Sequence, residues 1–403
     1  MARIPLILAL CTISSSGQLH GVSSPSCLHA AGTQIVDEAG QPVVLRGVNL
    51  GGWLVEEMWM MPFQTRPAEG SELPEVKDHV SLWRTIEKRL GTVERDRLRT
   101  ALRRAWIDEA DFDRIKAAGL NCVRLPFLHD MLDEPDGFSW IDQALVWARA
   151  RGLYVILDLH GAPGRQSGEH HTGETGIDRL FEDEAHSKAA ENVWKRVASR
   201  YRDHPEVAAY DLVNEPMGAH DAAAVYALQD RLYRAIRAVD DRHMIIIEDG
   251  YKGIDSFPQP RRMGWSNVVY STHHYRFDAK TSDDQDGGAV GHAEAVEKLS
   301  RDRQVPHLVG EFQFEPHGNA GTLAKFIKEL ESRGHSWTIW TYKTAMKDGG
   351  GGMWGWHRAA KRLDPLDPFR DTPDAFLRKL ALVKTENLHE DRAMTAAFHG
   401  LRE

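Results

Sequence analysis

The chain of 403 residues is 42% hydrophobic and 27% charged, which suits one large α/β barrel or two smaller domains. Its formal net charge of -9 argues against nucleic acid as a partner, because tracking phosphates takes clustered Lys and Arg. Twelve Trp residues supply flat apolar faces with one polar edge, useful for packing and for stacking on ligands.

The first residues, "MARIPLILALCTISSSG", set Arg3 before an apolar run from Ile4 to Ile13 and then small residues. That pattern predicts a secretory signal over about residues 1–23, with export to the periplasm or outside. The run is too short to span a membrane, so no stable membrane insertion is expected. Leu10 before Cys11 disfavours a lipoprotein. Of the remaining cysteines, Cys122 falls in a predicted strand as a buried free thiol, and with Cys27 it forms neither a disulfide framework nor a zinc spacing.

After a Ser-rich leader, "QPVVLRGVNLGGW" predicts a first strand ending in a Gly-rich turn near Asn49 to Gly52. Met61 to Trp106 is longer than a strand-to-helix link and holds its own helical stretch, "HVSLWRTIEKRL", so an insertion is expected over about 61–106. Strand-like runs then recur at "NCVRLPF", "LYVILDLHG", "VAAYDLVNEP", "HMIIIEDG", "NVVYSTHHY", "PHLVGEFQF" and "SWTIWTYKT". Between most of them lie helical patterns such as "IDQALVWARARG" and "TLAKFIKELESRG", apolar at three- and four-residue spacing. Eight nearly continuous apolar strands alternating with helices predict a (β/α)8 TIM barrel, a single domain over residues 30–384. A doubly wound open sheet is the alternative, but no G-x-G-x-x-G follows the first strand.

Three further segments carry expectations. "FDAKTSDDQDGGAVGH" reads as a mobile solvated loop. "KTAMKDGGGGMWGWHR" places Trp354 and Trp356 near the strand ends, either as an aromatic wall or as a pair packing the loop onto the barrel. Residues 385–403 show no clear apolar period and read as a tail, at most a frayed helix.

In such barrels the active site lies at the carboxyl ends of the strands. Those ends hold Asn49, Arg124, His160, Asn214, Glu215, His273, Tyr275, Glu311 and Trp340. Taken singly, each has a plain reading: a solvated rim Glu, an ion-paired Arg124, a core His160, a core Trp340. Two glutamates facing each other across a barrel mouth are what glycosidic cleavage requires, one holding a proton for the leaving oxygen and one attacking as an anion. The pairs His170–His171 and His273–His274 suggest zinc, but neighbours on a strand point to opposite faces, and no metal or cofactor is expected.

Taken in order, "RGVNLGGWL", "GLNCVRLP", "LDLHGAPG", "NEP", "HHY", "GEF" and the final-strand Trp340 resemble glycoside hydrolase family 5, over nearly the whole chain after the leader. The resemblance implies a retaining enzyme with Glu215 as acid/base and Glu311 as nucleophile. It also implies that Asn214 binds the sugar 2-hydroxyl, that His160 and His273 bind hydroxyls or orient neighbours, and that Trp340 forms a stacking floor. Arg124 and Tyr275 would favour the Glu311 anion. "LGGWLVEEMW" and "LHGAPGRQSG" look most like the exo-β-1,3-glucanase and β-glucosidase branch, in which Glu57 would hold the non-reducing glucose, with Trp59 two residues on. The sequence departs from that branch at "GEHHTG", where His170 stands in place of an Asp and Glu169 is the nearest substitute, and at Tyr342, where a second Trp is usual. The expected partner is a β-linked oligo- or polysaccharide or glucoside, and the expected state a monomer. The rivals are an endo-acting member of the family, a non-catalytic carbohydrate-binding barrel and a metal-dependent barrel hydrolase.

Overall fold

The computed structural model describes residues 25–346 and 352–399; the expected signal segment lies outside them. Eight parallel strands close into a barrel in sequence order. They are β1 (Arg46–Asn49), β2 (Cys122–Leu128), β3 (Tyr154–Gly161), β4 (Val207–Asp211), β5 (Met244–Glu248), β6 (Val268–Tyr275), β7 (His307–Gln313) and β8 (Ser336–Ile339). β8 closes the ring by pairing Trp337 with Arg46 of β1. β2, β4, β5 and β7 are buried along their whole length, as strands with a filled barrel on one face and helices on the other must be. A short hairpin, His29–Ala31 with Gln34–Val36, precedes β1.

Local sequence accounts for most helix boundaries. Asp108, Asp183 and Asp221 each accept a backbone N–H at a helix start. Gly152 ends the helix Gly137–Arg151 in the left-handed conformation, φ 62°. The expected insertion carries two helices, His79–Leu90 and Thr92–Trp106. It is locked to the loop after β1 by reciprocal indole hydrogen bonds: Trp53 Nε1 donates to Arg103 O at 3.0 Å, and Trp106 Nε1 donates to Gly51 O at 2.9 Å.

Two expectations need correcting. The acidic, Gly-rich stretch after β6 is not a loop: the helix Ser282–Arg303 runs through it. A capping box between Thr281 and Asp284, with Asp283 and Asp284 in the first turn, starts the helix where three glycines hid its period. The C-terminal tail is not frayed either. Helix Arg392–His399 buries Met394, Ala397 and Phe398 and packs on helix Ala320–Glu331. Three buried side chains in eight residues are too few to register as a period. Lys343, just past β8, ties this region down by donating to the carbonyls of Trp106 and Val383 and to Thr385 Oγ1. Among the described residues, no helix is long and apolar enough to cross a membrane.

Phe398 packs against Trp337 and Trp356, with ring centroids 6.0 and 5.4 Å away. Phe398→Ala is expected to lower unfolding stability by about 3–5 kcal/mol in urea titration; a loss under about 1 kcal/mol would mean that the final helix does not hold the barrel.

Candidate active site

Arg124 sits at the centre of the barrel mouth, fully buried on β2. Its Nε donates to Asp211 at 2.9 Å; one terminal nitrogen reaches Glu311 Oε1 at 2.8 Å and Asn49 at 3.1 Å; the other reaches Asn214 at 2.9 Å and Glu248 at 3.2 Å. Asp158 lies 3.2 Å away as well. Four carboxylates around one guanidinium are more negative charge than it can balance. Burial and the neighbouring acids accordingly push Asp211 well above the usual carboxylate range, against the pull of Arg124.

Glu215 stands four residues beyond β4, and its backbone adopts φ +43°, a left-handed geometry that costs a side-chain-bearing residue about 1–3 kcal/mol. Neighbours fix it: Glu215 N donates to Glu248 Oε2 at 2.7 Å, Asn214 N to Leu159 O at 3.1 Å, and Gly218 N to Gln166 O at 2.8 Å. The result aims the carboxylate into the mouth instead of along the strand. Its Oε1 accepts from Tyr251 Oη at 2.8 Å and His273 Nδ1 at 2.7 Å, and His171 Nε2 lies 3.5 Å from Oε2. Burial works against the charge on Glu215, but hydrogen bonds from His273 and Tyr251 and the His273 charge outweigh it and hold the carboxyl below its usual range.

Glu311 accepts from Arg124 on one oxygen and from Tyr275 Oη, at 2.9 Å, on the other. Burial pushes its carboxyl up and the Glu215 charge adds to that, while His273 and Arg124 pull it down. His273 Nδ1 lies between the two glutamates, 3.6 Å from Glu311 Oε2, and its Nε2 is 3.4 Å from Glu248. Burial alone would discharge this imidazole, but the surrounding carboxylates raise its pKa well above the ordinary value. His274 points the other way, against Phe326 and His292 outside the barrel.

These groups open into a cavity of about 590 Å³. His160, hydrogen-bonded to Asp158 at 2.7 Å, lies parallel to the Trp340 ring with centroids 5.5 Å apart, and both rings line the cavity. Glu57 accepts from Trp59 Nε1 at 2.8 Å and lies 3.0 Å from His170 Nε2. His170, at the departure from the branch pattern, therefore serves as a partner of Glu57; Glu169 also lines the cavity. The two tryptophans of the loop after β8 part company. Trp354 joins the wall, stacked on Tyr275 at 5.3 Å and edge-on to Trp59 at 5.6 Å. Trp356 is buried against Tyr342 and is core. Residues 347–351 of that loop lie outside the described residues. Tyr342 is also core, donating to Asp111 at 2.8 Å. Asn49 does not reach the cavity; its amide donates to three carbonyls, those of Gly310, Thr338 and Ile339, while its oxygen serves Arg124.

Among the described residues, the grouping able to hold a cation is Glu215, His273 and Glu311, whose ligand atoms lie within 4.8 Å of one another. The 2.7 Å bond between His273 Nδ1 and Glu215 already requires a proton where a metal would sit.

The model of the cellulase family, glycosyl hydrolase family 5, matches residues 92–346. A probable glucan 1,3-beta-glucosidase A of Neosartorya fischeri is 31% identical over 305 residues, covering 72% of this chain and 68% of that protein. A beta-xylosidase of Phanerodontia chrysosporium is 30% identical over 264 residues, 62% of this chain and 52% of that protein. This chain belongs to glycosyl hydrolase family 5. It spans about half to two thirds of the length of such relatives. Two solved structures share the fold: rutinosidase from Aspergillus niger, with TM-score 0.61 and 20% identity over 75% of this chain and 90% of that one, and endogalactoceramidase, with TM-score 0.58 and 20% identity over 88% and 84%.

Sequence reasoning about this family 5 barrel missed several contributors. Glu248 ends "MIIIE" as a carboxylate at a strand terminus, the same signal that marked Glu311. Tyr251, His171 and Gln166 lie on loops, where sequence carries no periodicity to aim a side chain. Gln166 joins the loops after β3 and β4 by donating to His160 O at 2.7 Å and Asn214 O at 2.8 Å.

Because the Tyr251 hydroxyl stabilises the Glu215 anion, Tyr251→Phe is expected to raise the Glu215 pKa by about one unit in a carboxyl carbon-13 NMR titration. No movement, or a fall, would contradict the contact. Arg124→Met removes the cation from a buried carboxylate cluster and is expected to cost about 3–5 kcal/mol of unfolding stability, read by chemical denaturation.

Proposed function

We propose that the chain is a secreted, exo-acting retaining β-glycosidase that hydrolyses the β-glucosidic bonds of glucans or glucosides, with Glu311 as nucleophile and Glu215 as acid/base. The observation that carries this reading is the approach of the two carboxylates, with an oxygen of each within 4.8 Å of the other. Retaining glycosidases hold their carboxyl groups about 5–5.5 Å apart, whereas inverting ones leave room for water at about 6.5–9.5 Å.

Glu311 attacks the anomeric carbon as Glu215 gives a proton to the departing glycosidic oxygen, which leaves a covalent glycosyl-enzyme. Glu215, now ionised, takes a proton from water. The water oxygen attacks the same carbon and frees Glu311, and the anomeric configuration is restored. The two donors on Glu311, Arg124 and Tyr275, fit its anion.

The proton for the first step has a source on the page. A charged His273 with ionised Glu215 holds as many protons as a neutral His273 with protonated Glu215. The two states differ in where one proton sits along a 2.7 Å hydrogen bond. A sugar that displaces water from the mouth penalises the charged pair and favours the neutral one, and so loads the acid. Asn214, its amide oriented by Arg124, is positioned for the sugar 2-hydroxyl. Trp59 and Trp354 meet edge to face at 5.6 Å, so the loops after β1 and β8 touch beside Glu57.

Glu311→Gln is expected to lower kcat by roughly 10⁶-fold, the scale of losing a catalytic nucleophile, and full activity would remove the assignment. Glu215→Ala should lose about 10²–10⁴-fold on poor leaving groups and far less on 2,4-dinitrophenyl glucoside, with azide restoring turnover as the β-glycosyl azide. Proton NMR of the first product should show the β-anomer; an α-anomer would overturn retention. Activity should survive exhaustive chelation.

A further inference from the structure

Glu215 has a second histidine neighbour, on the loop after β3. We infer that His171 is a positioning residue of the acid/base: its Nε2–H, held in that tautomer by Asn214, donates to Glu215 Oε2 as the carboxyl gives up its proton. This rests on the glycosidase reading above. Oε1 of Glu215 takes the hydrogen bonds of Tyr251 and His273. Oε2 faces His171 Nε2 at 3.5 Å, just beyond an ordinary hydrogen bond.

The tautomer follows from a chain of contacts that starts at Arg124. The guanidinium donates to Asn214 Oδ1 at 2.9 Å, which turns the amide nitrogen of Asn214 away from it. That nitrogen lies 3.3 Å from His171 Nδ1. An amide nitrogen only donates, so Nδ1 accepts and carries no proton, and a neutral ring then holds its proton on Nε2. The ring is neutral: burial lowers its pKa, and the charges of His160 and His170 act in the same direction against those of Glu215 and Glu57. Nε2 is buried without a hydrogen-bond partner among the described residues. A buried donor with no acceptor is costly, and that cost is relieved when the carboxylate closes on it. His171 itself is held firmly. It lies in a short turn, His170–Thr172, which the helical insertion grips: Val80 N donates to Gly173 O at 3.0 Å and Thr175 N to Asp78 Oδ2 at 2.7 Å.

When the proton passes to the glycosidic oxygen, negative charge spreads over both oxygens of Glu215. Tyr251 and His273 already serve Oε1; His171 serves Oε2 and keeps its own proton throughout. The benefit is largest for a leaving group that cannot depart unprotonated.

The test compares kcat/KM for aryl β-glucosides from phenyl to 2,4-dinitrophenyl, whose leaving groups are alike in shape but differ in acidity, with aryl β-xylosides in parallel. His171→Leu should lower kcat/KM about 10- to 100-fold on the phenyl glycoside and about threefold or less on the dinitrophenyl one. His171→Gln keeps an N–H donor in place of Nε2 and cannot titrate, so it should restore most of the loss. Equal losses on both substrates, or a Gln variant as slow as the Leu variant, overturn the inference while the glycosidase reading stands. In the unmutated enzyme, nitrogen-15 NMR of labelled histidines, with the His171 signal identified by its absence in His171→Gln, should show Nε2 protonated and Nδ1 bare at neutral pH. The opposite tautomer, or a doubly protonated ring, also overturns the inference alone. No turnover of any glycoside by the unmutated enzyme overturns both.

Discussion

The guanidinium of Arg124 is the cation on which the barrel mouth depends. Buried and ringed by Asp158, Asp211, Glu248 and Glu311, it brings together acids that would otherwise repel one another in a medium that screens little. Its fork geometry also orders neutral groups. Asn49 and Asn214 present their oxygens to it, which fixes both amide orientations without a separate device. One side chain thus connects β1, β2, β3, β4, β5 and β7, and the strand ends acquire a common frame.

Within that frame Glu215 and Glu311 are not two isolated glutamates. His273 lies between them, and its proton is shared along the bond to Glu215. Such a triad titrates as a unit, so its protonation belongs to the cluster and not to one residue. The left-handed backbone of Glu215 fits the same picture, because an ordinary continuation of β4 would carry the carboxylate away from His273 and Tyr251. Hydrogen bonds from neighbouring strands and loops offset the strain of that turn.

The outer elements serve the mouth at a distance. The helical insertion grips the loop that carries Glu57 and Trp59, and Lys343 and the C-terminal helix brace the end of β8, where Trp340 and Trp354 begin their wall.

The sequence by itself determined the barrel, because eight apolar runs alternating with helices admit few other closed arrangements, and it singled out Glu311 at the end of an apolar run and Glu215 in the polar corner just past one. Arg124, His160, Asn214, His273, Tyr275 and Trp340 were picked out by their places at or near strand ends, whereas Glu248, which ends β5, was not. Helix Ser282–Arg303 and the C-terminal helix were obscured, the first by glycines that carry no apolar signal and the second by its brevity. Only the tertiary structure decided what each side chain does. It sent Trp354 to the cavity and Trp356 to the core, made His170 a partner of Glu57, confined Asn49 to bracing, and brought Tyr251 and His171 to Glu215. The physical reason is reach: periodicity encodes which face of an element is buried, whereas a hydrogen bond across the barrel depends on the relative placement of strands far apart in the chain.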